Sequence, residues 1–212
     1  MTPSPPSPWQ PWLKVTFVAW LVCLTASLGG LWAYSARPGD SGHPPATWPE
    51  EVPRAQAGFT LVLFCHPHCP CTRATVHELE RLVVDCGGDL EVVAYLVLAE
   101  GVPEGWERGP ILKLLSGLEE ADVRLDHGGR LARRFHASTS GTVALYDPRG
   151  ELVFSGGITP SRGHEGTNRG RSAVAELVRG ERPSFTEVPV YGCPLRQTSD
   201  PAHVASGACC GR

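Results

Sequence analysis

From Val15 to Tyr34 the chain carries no charged residue (VTFVAWLVCLTASLGGLWAY). A helix of that length, rising ~1.5 Å per residue, spans the ~30 Å hydrocarbon core of a bilayer. Trp12, Trp32 and Tyr34 stand near its ends, where amphipathic rings prefer the membrane–water interface. The competing reading is a cleaved secretory signal, with Ala33-Tyr34-Ser35 as a small-x-small cleavage site. The run exceeds the usual ~7–15 residues of a signal's apolar region, which favours an uncleaved anchor over residues 14–34. Residues 1–13 read as a Pro/Ser-rich tail. Residues 35–57 hold five prolines among Gly, Ser and charged positions. That composition predicts a semi-extended spacer holding the next domain clear of the membrane.

Beyond the spacer the pattern alternates between short continuous apolar runs and longer periodic ones. Phe59–Phe64 and Leu90–Leu98 (LEVVAYLVL) are rich in strand formers and predict buried strands. Between them, Thr72–Val84 carries Ala74, Val76, Leu79, Leu82 and Val83 at helical spacing, and Gly87-Gly88 ends it. A helix near Gly109–Leu115, a short strand around Val123–Leu125 and a helical turn over Arg130–Phe135 follow. Thr142–Tyr146 and Glu151–Ser155 predict paired strands joined by the turn Asp147-Pro148-Arg149-Gly150. A last helix is expected over Asn168–Arg179. This order predicts an α/β sandwich over residues 58–182, a central mixed sheet flanked by helices. From Pro183 to residue 212 the chain reads as an irregular tail.

Composition narrows the function. The net charge of −3 supplies no basic field for a phosphate backbone, so no nucleic-acid partner is expected. No Gly-rich phosphate loop follows a strand, and no small-molecule cofactor is expected. Eight cysteines are many for a cytosolic chain of this size; Cys23 lies in the apolar run, leaving seven. An odd number argues against a purely structural disulfide framework. The same usage favours an orientation with everything after the anchor outside the cytoplasm.

The chemistry concentrates in Phe64-Cys65-His66-Pro67-His68-Cys69-Pro70-Cys71. Cys69 falls just past a buried strand and at the opening of a helix, where unpaired N–H groups and the helix dipole stabilise a thiolate. Pro70 suits the first helical turn. Cys71, two residues on, is near enough to resolve a mixed disulfide. His66 and His68, when protonated, would depress the Cys69 pKa further.

The Phe-x4-Cys spacing from Phe64 to Cys69, entered from a strand and leaving on a helix, resembles the thioredoxin-like superfamily. The stretch Phe135–Gly150 resembles that superfamily's second half. The series HPHCPCT, SGGITPSRGHEG and GCPL most resembles the membrane-anchored bacterial thioredoxin-like proteins called RedB, over about residues 58–196. The resemblance implies a single-pass protein of the bacterial inner membrane, its thioredoxin-like domain facing the periplasm. It implies thiol–disulfide exchange with a protein partner, another redox protein or an apocytochrome. Cys69 would be the nucleophile and Cys71 the resolving thiol, with Thr72 or His68 tuning the pKa. Pro67, Ser140 and Gly141 would border a groove for an extended peptide. His164, in the loop before the last helix, would lie beside the cysteine as base, thiolate partner or metal ligand. Two departures stand out. The usual resolving position is Thr72, so the pair is Cys-x-Cys, whose tight ring is strained and more oxidising. The family's cis-proline, which shapes the groove and keeps metals off the cysteines, aligns with Gly141.

Other readings compete. Cys65, His66, Cys69, Cys71 and His164, with His68, make a candidate Cu(I) or zinc set, although no closed zinc motif is present. Cys69-x-x-Thr72 superficially resembles a thiol peroxidase site, but His66 replaces the threonine expected three residues earlier. Cys193 is a third redox thiol if the tail folds back, and otherwise an incidental tail cysteine. Cys86 reads as a small buried hydrophobe, and Cys65 as inward packing or a ligand. Cys209 and Cys210 fall in a polar terminus. His127 and His136 read as surface loop residues, and Arg133-Arg134 as a solvated helix face.

Overall fold

The computed structural model describes residues 10–54 and 58–195. They divide into two units, one ending at Arg37 and one beginning at Pro38. The first is a helix, α1 (Gln10–Ser35). Its large apolar side chains are exposed from Trp12 to Tyr34, and Trp12–Ser35 is long and apolar enough to be a candidate membrane span. Its hydroxyls are satisfied internally. Thr16 bonds back to Trp12 and Leu13, Thr25 to Leu21 and Val22, and Ser27 to Cys23. A bilayer core offers no water to hydrogen-bond such groups, so only this arrangement suits it.

In the second unit β1 (Phe59–Cys65) leads to α2 (Pro70–Cys86) and β2 (Leu90–Leu98). Then come α3 (Pro110–Leu115), β3 (Ala121–His127), α4 (Arg130–Arg134), β4 (Thr142–Tyr146), β5 (Leu152–Gly156) and α5 (Arg169–Val178). The five strands form one mixed sheet in the order β3-β2-β1-β4-β5. β1 pairs parallel with β2, and β2 with β3; β4 runs antiparallel to both β1 and β5. Alternate side chains of a strand point to opposite faces. Leu61, Leu63 and Cys65 therefore join Val76, Leu79, Leu82, Ile111, Leu115 and Val174 on the face covered by α2, α3 and α5. Val62 and Phe64 join Tyr95, Ala132, Phe135 and Tyr146 on the other, beneath α4. Gly87 closes α2 in the left-handed conformation, φ +61°, where a side chain would be strained. Asn168 caps α5 by accepting from the Arg171 N–H at 2.7 Å.

The segment expected to be a spacer is part of this unit from Pro38 to Arg54. Prolines deprive it of donors, but its carbonyls accept and its apolar residues bury. The Leu152 N–H donates to the Ala46 carbonyl and the Trp48 N–H to the Gly150 carbonyl, each at 2.8 Å. The Tyr146 hydroxyl donates to the Pro45 carbonyl at 3.0 Å. Trp48 packs edge-on against Phe135 and Tyr146, and Val52 is buried beside it. The tail is irregular but also docked as far as Leu195: the Val188 N–H donates to the Ser155 carbonyl, and Val190 bridges Gly39. Cys209 and Cys210 lie outside the described residues.

Candidate functional site

The buried strand β1 ends at Cys65, and the loop 66–68 carries the chain to Cys69, the residue capping α2 at its N-terminus. Pro70 occupies the first helical position, where its missing N–H costs nothing. The Cys69 side chain makes no capping bond to the helix; the Thr72 N–H donates to the Cys69 carbonyl at 3.1 Å instead. Cys69 is 1% exposed, Cys71 half-buried and Cys193 9% exposed. The three Sγ atoms lie within 4.8 Å of one another. None of them is in a disulfide.

The cluster has one acceptor and two donors. Cys69 is held far below the ordinary thiol range, first by the hydrogen bond from the Cys193 thiol and then by that from Cys71. Burial opposes this, while the Thr72 hydroxyl and the Cys193 backbone N–H add to it. Cys193 is pushed far up because its thiol donates to Cys69 and to Cys71, and because it is buried. For Cys71, the bond from Cys193 lowers the pKa, but donation to Cys69, burial and the Cys69 charge outweigh it and the net shift is upward. Within the cluster these influences favour ionisation of Cys69 over Cys71 and Cys193. Arg162 favours ionisation of Cys71 through space, and its guanidinium donates to the Gly192 carbonyl at 2.5 Å.

Ser140 ties the site together. Its hydroxyl oxygen accepts from the His66 N–H at 2.8 Å and pairs with the Thr72 hydroxyl at 2.6 Å. Its own N–H donates to the Cys193 carbonyl at 2.8 Å. Sequence reasoning placed Ser140 in a groove and missed this linking role; a serine offers no pattern that would mark it. Gly141 has φ +95° and donates its N–H to the Phe64 carbonyl at 2.8 Å. Proline can adopt neither feature, so the cis-proline that the sequence resemblance would put here has no place in this backbone. No described peptide bond is cis.

The remaining candidates are distributed differently from the expectation. Pro67 is buried. The His68 ring packs on Trp106, with centroids 4.5 Å apart, and its Nε2 donates to the Trp106 carbonyl at 2.8 Å. His66 has its pKa lowered, chiefly by burial, and its Nδ1 accepts from the His68 N–H. His164 is exposed, its Nδ1 donates to the Arg162 carbonyl at 2.7 Å, and it makes no contact with the thiols. From its loop Arg162 turns toward the cysteines instead, while Glu165 holds the loop to α2 through His77 and Arg81. Cys65 packs in the α2 face of the core, where burial raises its pKa. The ligand set suggested by sequence, Cys65, His66, Cys69, Cys71 and His164, is therefore not assembled; among the described residues the cluster is Cys69, Cys71 and Cys193. Cys86 is also in the core, its pKa pushed up to about 11, mainly by burial.

No protein-family model matches the sequence, and no curated protein is similar enough to it to count as a relative. Solved structures are similar in fold. A hypothetical protein of Sinorhizobium meliloti 1021 superposes with a TM-score of 0.58 at 21% identity, covering 78% of this chain and 99% of its own. An uncharacterized conserved protein of Geobacillus kaustophilus gives 0.57 at 22% identity, with 78% and 94% covered. A pneumococcal exposed lipoprotein thioredoxin of Streptococcus pneumoniae strain TIGR4 gives 0.40 at 18% identity, with 59% and 86% covered.

Proposed function

We propose that the chain, a mixed sheet flanked by helices with a thiol heading the helix after β1, is a thioredoxin-like, membrane-anchored thiol–disulfide oxidoreductase. The observation that carries the reading is buried Cys69 with two further thiols clustered on its sulfur, which lower its pKa. A thiolate, not a thiol, attacks disulfides. Cys69 attacks one sulfur of a partner's disulfide, forming a mixed disulfide while the partner's other sulfur leaves as a thiolate. Cys71 then loses its proton, attacks the Cys69 Sγ and expels the second partner sulfur as a thiolate. The partner gains two electrons, and the chain holds a Cys69–Cys71 disulfide; run backwards, the steps oxidise a dithiol. Cys193, in contact with both, is placed to act as a second resolving thiol. Thr72 tunes Cys69 by its hydroxyl, and Pro67, Ser140 and Gly141 border the groove the partner enters.

The finer likeness to RedB-type proteins belongs with this reading, through HPHCPCT, SGGITPSRGHEG and GCPL in order. So does the location: α1 as the anchor in a bacterial inner membrane, the thiol domain on the periplasmic side, and a protein partner there. Cysteine usage supports the compartment. The test is a reduction potential, measured on the metal-free chain against glutathione with mass mapping of the bonded cysteines. A reversible two-electron couple on Cys69 with Cys71 or Cys193 is expected. If no such couple forms, the reading is wrong.

The three clustered sulfurs favour a second reading, Cu(I) binding. Soft thiolates select Cu(I), whereas structural zinc needs four ligands, and His66 and His164 are engaged elsewhere. One Cu(I) per reduced chain, lost in Cys193→Ser, would support it; retention of copper by that variant would count against the site.

A further inference from the structure

The groove beside Cys69 is filled by the chain itself. Residues 191–195 (Tyr-Gly-Cys-Pro-Leu) run antiparallel to 138–140. The Ser140 N–H donates to the Cys193 carbonyl and the Leu195 N–H to the Ser138 carbonyl, each at 2.8 Å, with Thr139 opposite Pro194. Leu195, 4% exposed, anchors the far end in the core cluster of Phe64 and Phe135. Arg162 grips the near end through the Gly192 carbonyl. Position 192 tolerates no side chain, because a Cβ there would run into the Ser140 carbonyl oxygen. Cys193 is thereby set against the Cys69 sulfur. This is how an extended peptide binds by strand addition: main-chain pairing gives affinity, and one side chain is presented to the site.

We propose that residues 191–195 are a built-in stand-in for the partner: the site takes an extended protein segment with glycine before its cysteine, and that segment must displace 191–195 to reach Cys69. The proposal rests on the thiol–disulfide reading for the chemistry that follows docking, not for the docking itself. In that chemistry the Cys69 thiolate attacks the segment's disulfide sulfur, the new bond joins Cys69 to the segment, and the other sulfur departs as a thiolate.

The test uses the reduced, detergent-solubilised full chain and two probes. One is the peptide Tyr-Gly-Cys-Pro-Leu with its thiol capped as a mixed disulfide; the other is hydroxyethyl disulfide, too small to need the groove. The ratio of their rates at Cys69 is the readout, because a change in thiolate population affects both probes alike. Gly192→Ala should raise the peptide-to-small ratio at least about tenfold, the factor that ~1.4 kcal/mol of displaced docking represents. Leu195→Ala should move it in the same direction by less. On Gly192→Ala, a peptide with Ala in place of Gly should react at least about tenfold more slowly than the glycine peptide. The proposal is overturned if the ratio stays put in both variants while amide exchange shows the Leu195 N–H released, or if the alanine peptide keeps pace. Failure of the oxidoreductase reading looks different. Both probes would then attach to Cys69 with no intramolecular disulfide following, in wild type and variants alike, and the ratio would still decide the docking.

Discussion

Replacing Cys193 by alanine removes the largest single influence on the Cys69 pKa, the thiol that donates to it. The variant leaves the Cys71 and Thr72 donors, the Cys193 backbone N–H and the start of α2 in place. A hydrogen bond to a charged acceptor contributes roughly 1.5–3 kcal/mol. One pKa unit corresponds to about 1.4 kcal/mol, so Cys193→Ala should raise the Cys69 pKa by roughly 1–2 units. Thr72→Val should shift it in the same direction by less, since the hydroxyl contributes less than either thiol. The assay is the pH dependence of alkylation at Cys69 by iodoacetamide, mapped by mass on reduced, metal-free protein. In wild type the rate should fall off at lower pH than that of a free thiol, which with a pKa near 8.5 loses about tenfold per unit below it. The variant's profile should bend at higher pH. Coincident profiles for wild type and Cys193→Ala would refute the assignment of Cys193 as the chief donor. A larger shift from Thr72→Val would refute the ordering.

Ser140→Ala strips the acceptor from the His66 N–H and the partner from the buried Thr72 hydroxyl; a loss of about 2 kcal/mol is expected in denaturant unfolding, and no loss would show that water replaces it. Gly141→Pro should destabilise by about 3 kcal/mol or more, because φ +95° and the bond to Phe64 are both forfeited; an unchanged unfolding midpoint would contradict this. Reduced protein should also show a signed pH dependence. The lowered Cys69 pKa contributes stability that is complete above the unfolded value near 8.5 and is lost as pH falls toward the folded value. The raised values of Cys71 and Cys193 act oppositely, withdrawing stability once unfolded thiols ionise above about pH 8.5. Between about pH 6 and 8, unfolding should show wild type gaining up to ~1.4 kcal/mol per unit over Cys69→Ser; a constant difference would refute the sign.

The middle of the sheet was legible because β1, β2 and β4 are buried on both faces. β1 and β2 carry continuous apolar runs, Leu61–Cys65 and Val92–Leu98, that no amphipathic helix would carry, and the pair Gly87-Gly88 marks the end of α2 through a left-handed cap. The strand around Val123 proved longer, Ala121–His127, because its pairing with β2 runs on from Val92 opposite Ala121 to Leu98 opposite His127. Residues 38–54 were illegible as a docked segment. Their anchors, Trp48 and Val52, stand among prolines at no regular spacing, and what they pair with lies about a hundred residues away. In the site, the helix start of Cys69 could be read from β1 and Pro70. Which residue of Ser161–Gly166 turns inward could not: Arg162 and His164 are two apart, and only the loop's path and the hold of Glu165 on α2 separate them. The approach of Cys193 depends on glycine at 192, visible only once Ser140 is opposite it.

The closing of the site by residue 193 has a consequence for the order in which the chain is made. Cys69 and Cys71 leave the ribosome roughly 120 residues ahead of Cys193. At ~5–20 residues per second that is a delay on the order of ten seconds. Throughout that interval Cys69 has Cys71 as its near neighbour, and neither the Cys193 donor nor the cover of residues 191–195 exists. The nascent pair therefore meets any oxidant as an open Cys-x-Cys, and the three-sulfur arrangement is acquired only after residue 193 has been added.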